Sequence, residues 1–240
     1  MNFKAVVIYT CVLFCFTVIS PVQAVTIPAD KDVMTSGFFQ GTNLVRGYAG
    51  DGRNVHRVST DVPFGVGGAE TLYITFDFDF AAQFNGPVSQ AFLSVQSASG
   101  GFNADAGPVN PFTVSAHALS ADPITSITDD TNPSGPIDWL TFYNNNVLPA
   151  DAAALTDIDG LGTFTFDVTS IVNDWIAGTN TVLAIALTGR SDASGNDFLH
   201  GFLNNTENPG STYLNIVPEP ATLSLLGIGC LGLLRRRRQG

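Results

Sequence analysis

Two aspartates that stand two residues apart are the first pair in this sequence that could do acid–base chemistry. Asp77 and Asp79 alternate with phenylalanines in a run that reads as a strand, and side chains at i and i+2 of a strand lie on one face, roughly 6.5 to 7 Å apart. That separation overlaps the carboxylate spacing of inverting glycosidases. We expect both to be solvated residues on the outer face of a half-exposed strand, with a catalytic acid and base as the alternative.

Two short loops rich in oxygen donors are candidates for calcium. Asp157 and Asp159 lie in Asp-Ile-Asp-Gly, while Asp192 and Asp197 lie in Asp-Ala-Ser-Gly-Asn-Asp. Carboxylate and amide oxygens suit Ca²⁺, but neither loop continues into the spacing of an EF-hand with its terminal Glu. Asx-turns explain both loops equally well. The sequence therefore predicts no required cofactor and leaves calcium open for these four aspartates.

The histidines and aromatic residues are weaker candidates. The three histidines, His56, His117 and His200, are far apart in sequence. We expect them to be surface or edge residues rather than ligands of a metal site. His117 lies on the polar face of its predicted strand. Four aromatic side chains could stack on sugar rings: Tyr48, Tyr73, Tyr143 and Trp139. Tryptophans in a sandwich of this size are more often core residues, which is what we expect of Trp139 and Trp175. The hydrolase and nucleotide motifs G-x-S-x-G, H-E-x-x-H and the P-loop are absent.

Strands must position these residues, because period-2 alternation dominates the body of the chain. The clearest strand runs from Leu72 to Phe80, with its apolar residues on one side and Tyr73, Thr75 and the two aspartates on the other. Further strands are predicted around residues 91–95, 112–118, 164–168, 182–187, 199–203 and 213–216. One short helix is indicated where Val168, Ile171, Val172 and Trp175 recur at helical spacing before Gly178. This pattern predicts an all-β antiparallel sandwich, of the jelly-roll type, with one short helix.

The composition of the body excludes several function classes. The chain has 240 residues, of which 13% are charged, and from Val25 to Val217 it holds 20 acidic and five basic residues, a formal charge of −15, with no cysteine. A negative field of this size repels nucleic acid and anionic lipid. Without thiols the body can have no disulfide framework and no cysteine nucleophile.

The first 24 residues have the layout of a secretory signal peptide. Lys4 precedes an uncharged apolar run over residues 5–19, and Val22-Gln-Ala24 provides small or β-branched residues at the −3 and −1 positions. We expect signal peptidase to cut between Ala24 and Val25 after export through the Sec translocon. The mature chain then begins at Val25.

The last 24 residues combine three features in a fixed order. Pro218, Glu219 and Pro220 precede a 14-residue apolar run over 221–234, and Arg235, Arg236, Arg237 and Arg238 follow it. A helix of that length reaches about 21 Å, short of the roughly 30 Å hydrocarbon core. The arginines place the tail in the cytoplasm and the body outside. The sequence predicts a short transmembrane helix that is a marginal membrane span.

This ordered triplet resembles the PEP-CTERM sorting signal of Gram-negative bacteria. The resemblance implies recognition of Pro218, Glu219 and Pro220 by an exosortase, a membrane protease or transpeptidase, with Arg235–Arg238 as the cytoplasmic retention charge. It also implies export in association with extracellular polysaccharide.

The body is similar to the DNRLRE-type domain, a β-sandwich related in fold to carbohydrate-binding modules. The strands around residues 73–77 and 91–95 and the stretch over 166–178 carry the resemblance, and the block from Asp167 to Gly178 is its distinctive part. The chain departs from that pattern at Ile127–Asp130 and in its few arginines. The resulting domains are a signal peptide over 1–24, a DNRLRE-like sandwich over 25–216 and a sorting signal over 217–240.

Two functions from different classes fit these observations. The first is an exported, non-catalytic protein of the cell surface or extracellular matrix, processed by exosortase through an inner-membrane intermediate and associated with exopolysaccharide in a biofilm. The second is a secreted polysaccharide-cleaving enzyme on a jelly roll, with Asp77 or another carboxylate as acid or base. Neither involves nucleic acid.

Overall fold

Strands make up most of the described chain. A computed structural model describes residues 23–36, 44–46, 55–59, 70–98, 112–123, 139–148, 154–189, 199–205 and 207–219. The strands are β1 (Val25–Pro28), β2 (Lys31–Ser36), β3 (Leu44–Arg46), β4 (Val55–Ser59), β5 (Glu70–Thr75), β6 (Val88–Ala98), β7 (Phe112–Ala118), β8 (Ala154–Ile158), β9 (Thr163–Asp167), β10 (Ala184–Gly189), β11 (Leu199–Leu203) and β12 (Thr212–Pro218). The helices in these ranges are α1 (Phe80–Gln83), α2 (Trp139–Asn146) and α3 (Thr169–Ala177).

The strands form two antiparallel sheets. The first has the order β1-β12-β6-β11-β4, with β9 also paired to β6, and the second has the order β3-β2-β5-β10-β7-β8. Strand pairs within both sheets are antiparallel. The predicted all-β class with antiparallel sheets is confirmed, while the jelly-roll arrangement stays a prediction.

The main core contains apolar residues from both sheets. The first sheet contributes Leu93, Phe166 and Ile216, and the second contributes Ile74 and Leu187. These side chains are 0% exposed, and full burial of each stabilises the fold by about 1.5–3 kcal/mol relative to exposure. The two sheets are therefore held together by a shared hydrophobic core.

The second sheet is also buried on its other face. There Val33, Tyr73 and Ala186 pack with Phe142 and Val147 at helix α2 and just beyond it. The ring of Tyr73 meets that of Phe142 edge to face, with centroids 5.3 Å apart. The expectation that this strand is half-exposed is wrong, because helix α2 covers the face that carries Tyr73. Burial on both sides explains why all six residues of β5 and of β10 are buried.

The described chain has three helices, so the prediction of one short helix is wrong in number. The predicted helix is confirmed as α3, whose Ile171, Val172 and Trp175 are buried. Helix α1 is a single turn that begins at Phe80, the last residue of the segment predicted as strand. Helix α2 has the sequence WLTFYNNN, which is only eight residues long and has a weak apolar periodicity, so it gives little helical signal.

Helix α3 ends where its sequence predicts. Gly178 follows the last helical residue with φ of 70°, in the left-handed region, and its N–H bonds to the carbonyl oxygens of Asp174 and Trp175. A side chain at this φ is strained, although a Cβ there would have no atom within 4 Å. The requirement for glycine at this position is therefore conformational rather than steric.

We predict that Gly178→Ala lowers the free energy of unfolding by about 1 kcal/mol, because alanine is strained in the left-handed region. Gly162→Ala is the matched control, since its Cβ would also meet open space and its φ is not positive. Urea unfolding followed by circular dichroism measures both. Equal midpoints for the two variants would contradict the conformational explanation.

Candidate functional site at the end of the last strand

The last strand of the domain ends inside the Val-Pro-Glu-Pro segment. Its register on β6 continues through Val217 opposite Gln90 and Pro218 opposite Val88, with an irregularity between these two pairs. The Ser89 hydroxyl donates a hydrogen bond of 2.9 Å to the carbonyl oxygen of Val217. The first two residues of this segment are therefore part of the sheet, and no linker separates them from the domain.

Two prolines explain how the segment leaves the sheet. Pro218 has no N–H to donate, so the ladder of hydrogen bonds cannot continue normally through it. Val217 and Glu219 each precede a proline, which favours extended backbone. Val217 and Pro218 are half-buried and Glu219 is exposed. The Glu219 carboxylate is therefore exposed to solvent immediately after the last residue of β12.

The start of β6, which receives the end of β12, is fixed by helix α3. The Asn173 side chain accepts a hydrogen bond of 2.7 Å from the Val88 N–H and donates one of 3.2 Å to the Val88 carbonyl oxygen. The Thr169 hydroxyl oxygen accepts a hydrogen bond of 2.9 Å from the Ala91 N–H. Because α3 is itself anchored in the main core, it provides a rigid support for the end of β12.

The predicted signal-peptide junction lies at the same end of the same sheet. Strand β1 begins at Val25, which pairs with Ile216 of β12, and Ala24 just before it is exposed. One position further along, the Thr26 hydroxyl donates to the Asn215 amide oxygen at 2.8 Å. The structure therefore brings Val25 next to the segment that begins at Val217, although the two are nearly 200 residues apart in sequence.

The remaining predicted sorting residues, Pro220 and Arg235–Arg238, lie outside the described residues, as does the apolar run 221–234. Within the described ranges, no helix is long and apolar enough to cross a membrane.

The two aspartates proposed as an acid–base pair have different surroundings. Strand β5 ends at Thr75, so Asp77 and Asp79 follow the strand and do not share one of its faces. Asp79 is the N-cap of helix α1, where its Oδ1 accepts a hydrogen bond of 3.0 Å from the Ala82 N–H. The prediction that both aspartates are solvated is confirmed, since both are exposed. Their placement on one face of a strand is wrong, because a one-turn helix, which has too few residues to show a period, begins at the end of the alternating run.

Asp77 instead lines a cleft at one end of the second sheet. Asp30, Lys31 and Asp122 also line this cleft, which has a volume of about 440 Å³. These four charged side chains are exposed. Clefts of this size hold small ligands in many proteins, so the cleft can present carboxylate oxygens to a polar molecule.

The histidines that the structure describes are buried, which corrects the expectation of surface or edge positions. His117 Nε2 lies 2.8 Å from the Ser115 hydroxyl, and its Nδ1 lies 3.3 Å from the Leu148 carbonyl oxygen. Such a contact is typical of a nucleophile and its base, but Ser115 is only 1% exposed. His200 lies in the other sheet and packs edge to face on Phe202. The side chain of His56 lies outside the described residues.

The calcium candidates are largely untested by the structure. Asp159 follows β8 and is exposed. The side chain of Asp157 and all of Asp192 and Asp197 lie outside the described residues. Among the residues that the structure describes, no three His, Cys, Asp or Glu side chains are grouped as metal ligands.

The aromatic candidates that the structure describes lie in or beside its two hydrophobic clusters. Trp175 is buried against Phe80, with ring centroids 5.0 Å apart, which confirms its expected core position. Tyr73 is fully buried and cannot stack on a sugar, and burial raises the pKa of its hydroxyl above the ordinary value. Tyr143 is half-buried beside the cluster that Tyr73 forms with Phe142 and Val147 on the outer face of the second sheet. The side chain of Trp139 and all of Tyr48 lie outside the described residues.

Comparison with known proteins identifies the C-terminal segment. Residues 217–238 match the family model of the PEP-CTERM protein-sorting motif, and no curated protein matches the chain. The match begins with the last two residues of β12 and includes Arg235–Arg238. The predicted sorting motif is therefore confirmed, and it indicates an exported protein that is targeted to an exosortase and destined for the cell surface.

Sequence reasoning found the sorting motif but missed two features of its surroundings. The motif consists of three features in a fixed order, Pro-Glu-Pro, an apolar run and an arginine cluster, so it can be recognised from the sequence alone. Its pairing with Gln90 and Val88, and its proximity to Val25, depend on the register between distant strands. Only the adjacent β-rich segment of residues 213–216 hinted that a strand runs up to the motif.

We predict that Asn173→Ala lowers the free energy of unfolding by about 1–3 kcal/mol, because the partly buried N–H and carbonyl of Val88 lose their partner. Ser170→Ala, at an exposed position of the same helix, is the control and should change stability by less than about 0.5 kcal/mol. Urea titration measures both variants. If the two lose equal stability, Asn173 does not anchor β6.

Proposed function

We propose that this chain is an exported, non-catalytic protein of the cell surface or extracellular matrix. Its signal peptide is removed after Ala24, the C-terminal segment holds it transiently in the inner membrane of a Gram-negative bacterium, and exosortase processing releases the β-domain. The observation that carries the proposal is the match to the sorting motif at residues 217–238, which begins in the last strand of the folded domain.

The charge and length of the terminal segment support transient anchoring. An apolar run of about 21 Å is short for the hydrocarbon core, and four arginines hold its end in the cytoplasm. Glu219 is exposed just outside the sheet. A membrane enzyme can therefore reach the recognition motif while the domain stays folded.

Binding rather than catalysis is supported by the surroundings of the candidate catalytic groups. Asp79 is engaged in capping a helix, and the Ser115–His117 pair is buried in the second sheet. The cleft with Asp30, Asp77 and Asp122 has exposed carboxylates, which accept hydrogen bonds readily from sugar hydroxyls.

The proposed ligand is exopolysaccharide. A formal charge of −15 on residues 25–217 keeps the domain hydrated among polymers but opposes contact with acidic glycans. We therefore propose association with neutral glycans, or with acidic glycans through bridging Ca²⁺. The proposed similarity of the body to DNRLRE-type domains, whose fold is related to carbohydrate-binding modules, agrees with this role.

A secreted polysaccharide-cleaving enzyme remains the second candidate, on one observation. Asp77 and Asp122 line the same cleft of about 440 Å³, and two carboxylates in one cleft are the minimum for glycoside hydrolysis.

We predict that Glu219→Ala leaves unprocessed precursor in the membrane and slows C-terminal processing by roughly tenfold or more, because a charged hydrogen-bonding group contributes about 1.5–3 kcal/mol. Glu207→Ala removes another exposed carboxylate, in the turn before β12, and should be processed normally. Intact mass of membrane and released fractions measures both. A wild-type surface protein that keeps residues 221–240 contradicts the proposal.

We predict that the released domain co-sediments with polysaccharide from its own source. Retention that survives a chelator indicates neutral glycans, and retention that the chelator abolishes indicates bridging calcium. Absence of retention in both conditions contradicts the glycan-binding role. Release of reducing ends during incubation would instead favour the enzyme, and Asp77→Asn and Asp122→Asn would then abolish that release.

A further inference from the structure

Four neighbouring strands of the first sheet are almost free of charge. Strands β1, β12, β6 and β9 pair in that order, and Asp167 is the only charged residue within them. The segment from Val25 to Val217 nevertheless carries 20 acidic and five basic residues. Almost all of the charge of the domain therefore lies elsewhere in the chain.

Alternation along these strands separates an outer face from the core. Leu93 of β6, Leu214 of β12 and Phe166 of β9 are buried in the main core, so the residues next to them in sequence point to the opposite side of the sheet. This opposite side is the outer face of the first sheet.

Two adjacent rows of paired residues occupy the middle of this outer face. One row consists of Thr26, Asn215 and Phe92, and the other consists of Tyr213, Ser94 and Thr165. We call these six residues the neutral face. Only Ser94, at 2% exposure, is buried. The two threonines are exposed and the remaining three side chains are half-buried, so the neutral face is open to a ligand.

Hydroxyl and amide groups supply the hydrogen-bonding capacity of the neutral face. The Thr26 hydroxyl donates a hydrogen bond of 2.8 Å to the Asn215 amide oxygen, which orients the amide so that its two N–H groups can donate to a ligand. Thr165 provides an exposed hydroxyl, and Gln90 and Gln96 provide exposed amides at either end of the same face of β6. Such groups match the donors and acceptors of sugar hydroxyls.

Two aromatic side chains lie diagonally across the neutral face. Tyr213 is opposite Ser94, and Phe92 is two residues from Ser94 on the same side of β6. Diagonal neighbours of this kind are roughly 7–8 Å apart. The face of an aromatic ring is negative and attracts C–H groups with partial positive charge, such as those of a sugar ring. One extended sugar chain can therefore contact both aromatic residues.

The single charge lies at the margin of this face and is held by helix α3. The Asp167 carboxylate accepts hydrogen bonds from the N–H of Thr169 at 3.0 Å and from its hydroxyl at 2.5 Å. The cleft beside the second sheet differs, because four charged side chains line it. Removing water from charged groups costs far more free energy than removing it from hydroxyls and amides. A neutral polymer therefore loses less solvation energy on the neutral face than in the cleft.

We propose that the neutral face binds an extended, neutral polysaccharide. Tyr213 and Phe92 pack against its sugar rings, while the threonine hydroxyls and the Asn215 amide bond to its hydroxyl groups. This inference rests on the proposed function, for which it names the binding surface and the class of ligand. Because the four strands contain no Lys or Arg, an acidic glycan finds no opposite charge on them.

The experiment measures glycan binding by the exported protein in gels that contain polysaccharide. The probe is the neutral fraction of exopolysaccharide from the same source, separated from the acidic fraction by anion exchange. Tyr213→Ala should weaken binding by about tenfold or more, because it removes an aromatic contact. Tyr213→Phe keeps the ring and should bind within about threefold of wild type. Tyr143→Ala, at a half-buried tyrosine beside the second sheet, is the matched control and should bind as wild type does.

A second pair of variants blocks the neutral face without removing an aromatic side chain. The body has no cysteine, so a polyethylene glycol maleimide can be attached at one introduced thiol, which peptide mapping verifies. The labelled Thr165→Cys protein should lose binding, because the polymer covers the neutral face. The labelled Asn144→Cys protein carries the same polymer at an exposed position of helix α2, on the opposite side of the domain, and should keep it. Urea unfolding verifies that all variants are folded.

The outcomes separate the inference from the proposed function. Unchanged binding by either Tyr213→Ala or the labelled Thr165→Cys protein overturns the inference and leaves the proposed function intact, as does wild-type binding to the acidic fraction alone. A wild-type protein that binds neither fraction overturns the proposed glycan association together with the inference. If sedimentation shows a dimer that the label at position 165 converts to monomers, a second copy of the chain covers this face and the inference is wrong.

Discussion

The pairing of β12 with both β1 and β6 is the constraint on which the rest of the structure depends. This last strand lies inside the first sheet, and Leu214 and Ile216 within it are fully buried in the core that both sheets share. The domain is complete only when residues up to Pro218 have been exported and paired. Cleavage beyond Pro218 leaves the sheet intact, whereas cleavage within β12 would remove buried side chains from the core.

The second sheet stabilises the domain, but its covered outer face does not expose polar side chains to a ligand. Because helix α2 and the residues after it cover its outer face, polar groups such as Ser115 and His117 are held in buried hydrogen bonds. Exposed carboxylates are found instead at the end of the sheet, where Asp77 and Asp122 line the cleft. The formal charge of −15 on residues 25–217 favours hydration of the domain surface.

Local patterns predicted most strands, the helix α3 and the sorting motif, because each is defined by neighbouring residues. Asp77 and Asp79 are exposed as predicted, but they do not share a strand face, because the strand ends and a helix cap begins within one alternating run. Helix α2 was missed because tertiary packing, not amphipathic periodicity, stabilises it. The proximity of Val25 to Val217 could not be predicted, since the register between strands so distant in sequence depends on the packing of the whole sheet.

The pairing of β1 with β12 is tested most directly by disulfide cross-linking of the exported protein. The body has no cysteine, and the Thr26 and Asn215 side chains are in contact at 2.8 Å, so Thr26→Cys with Asn215→Cys should form an intramolecular disulfide found by non-reducing peptide mapping. The pair Thr26→Cys with Tyr213→Cys, two residues out of register, should not. Cross-linking of both pairs to the same extent, or of neither, would contradict the register of β1 on β12.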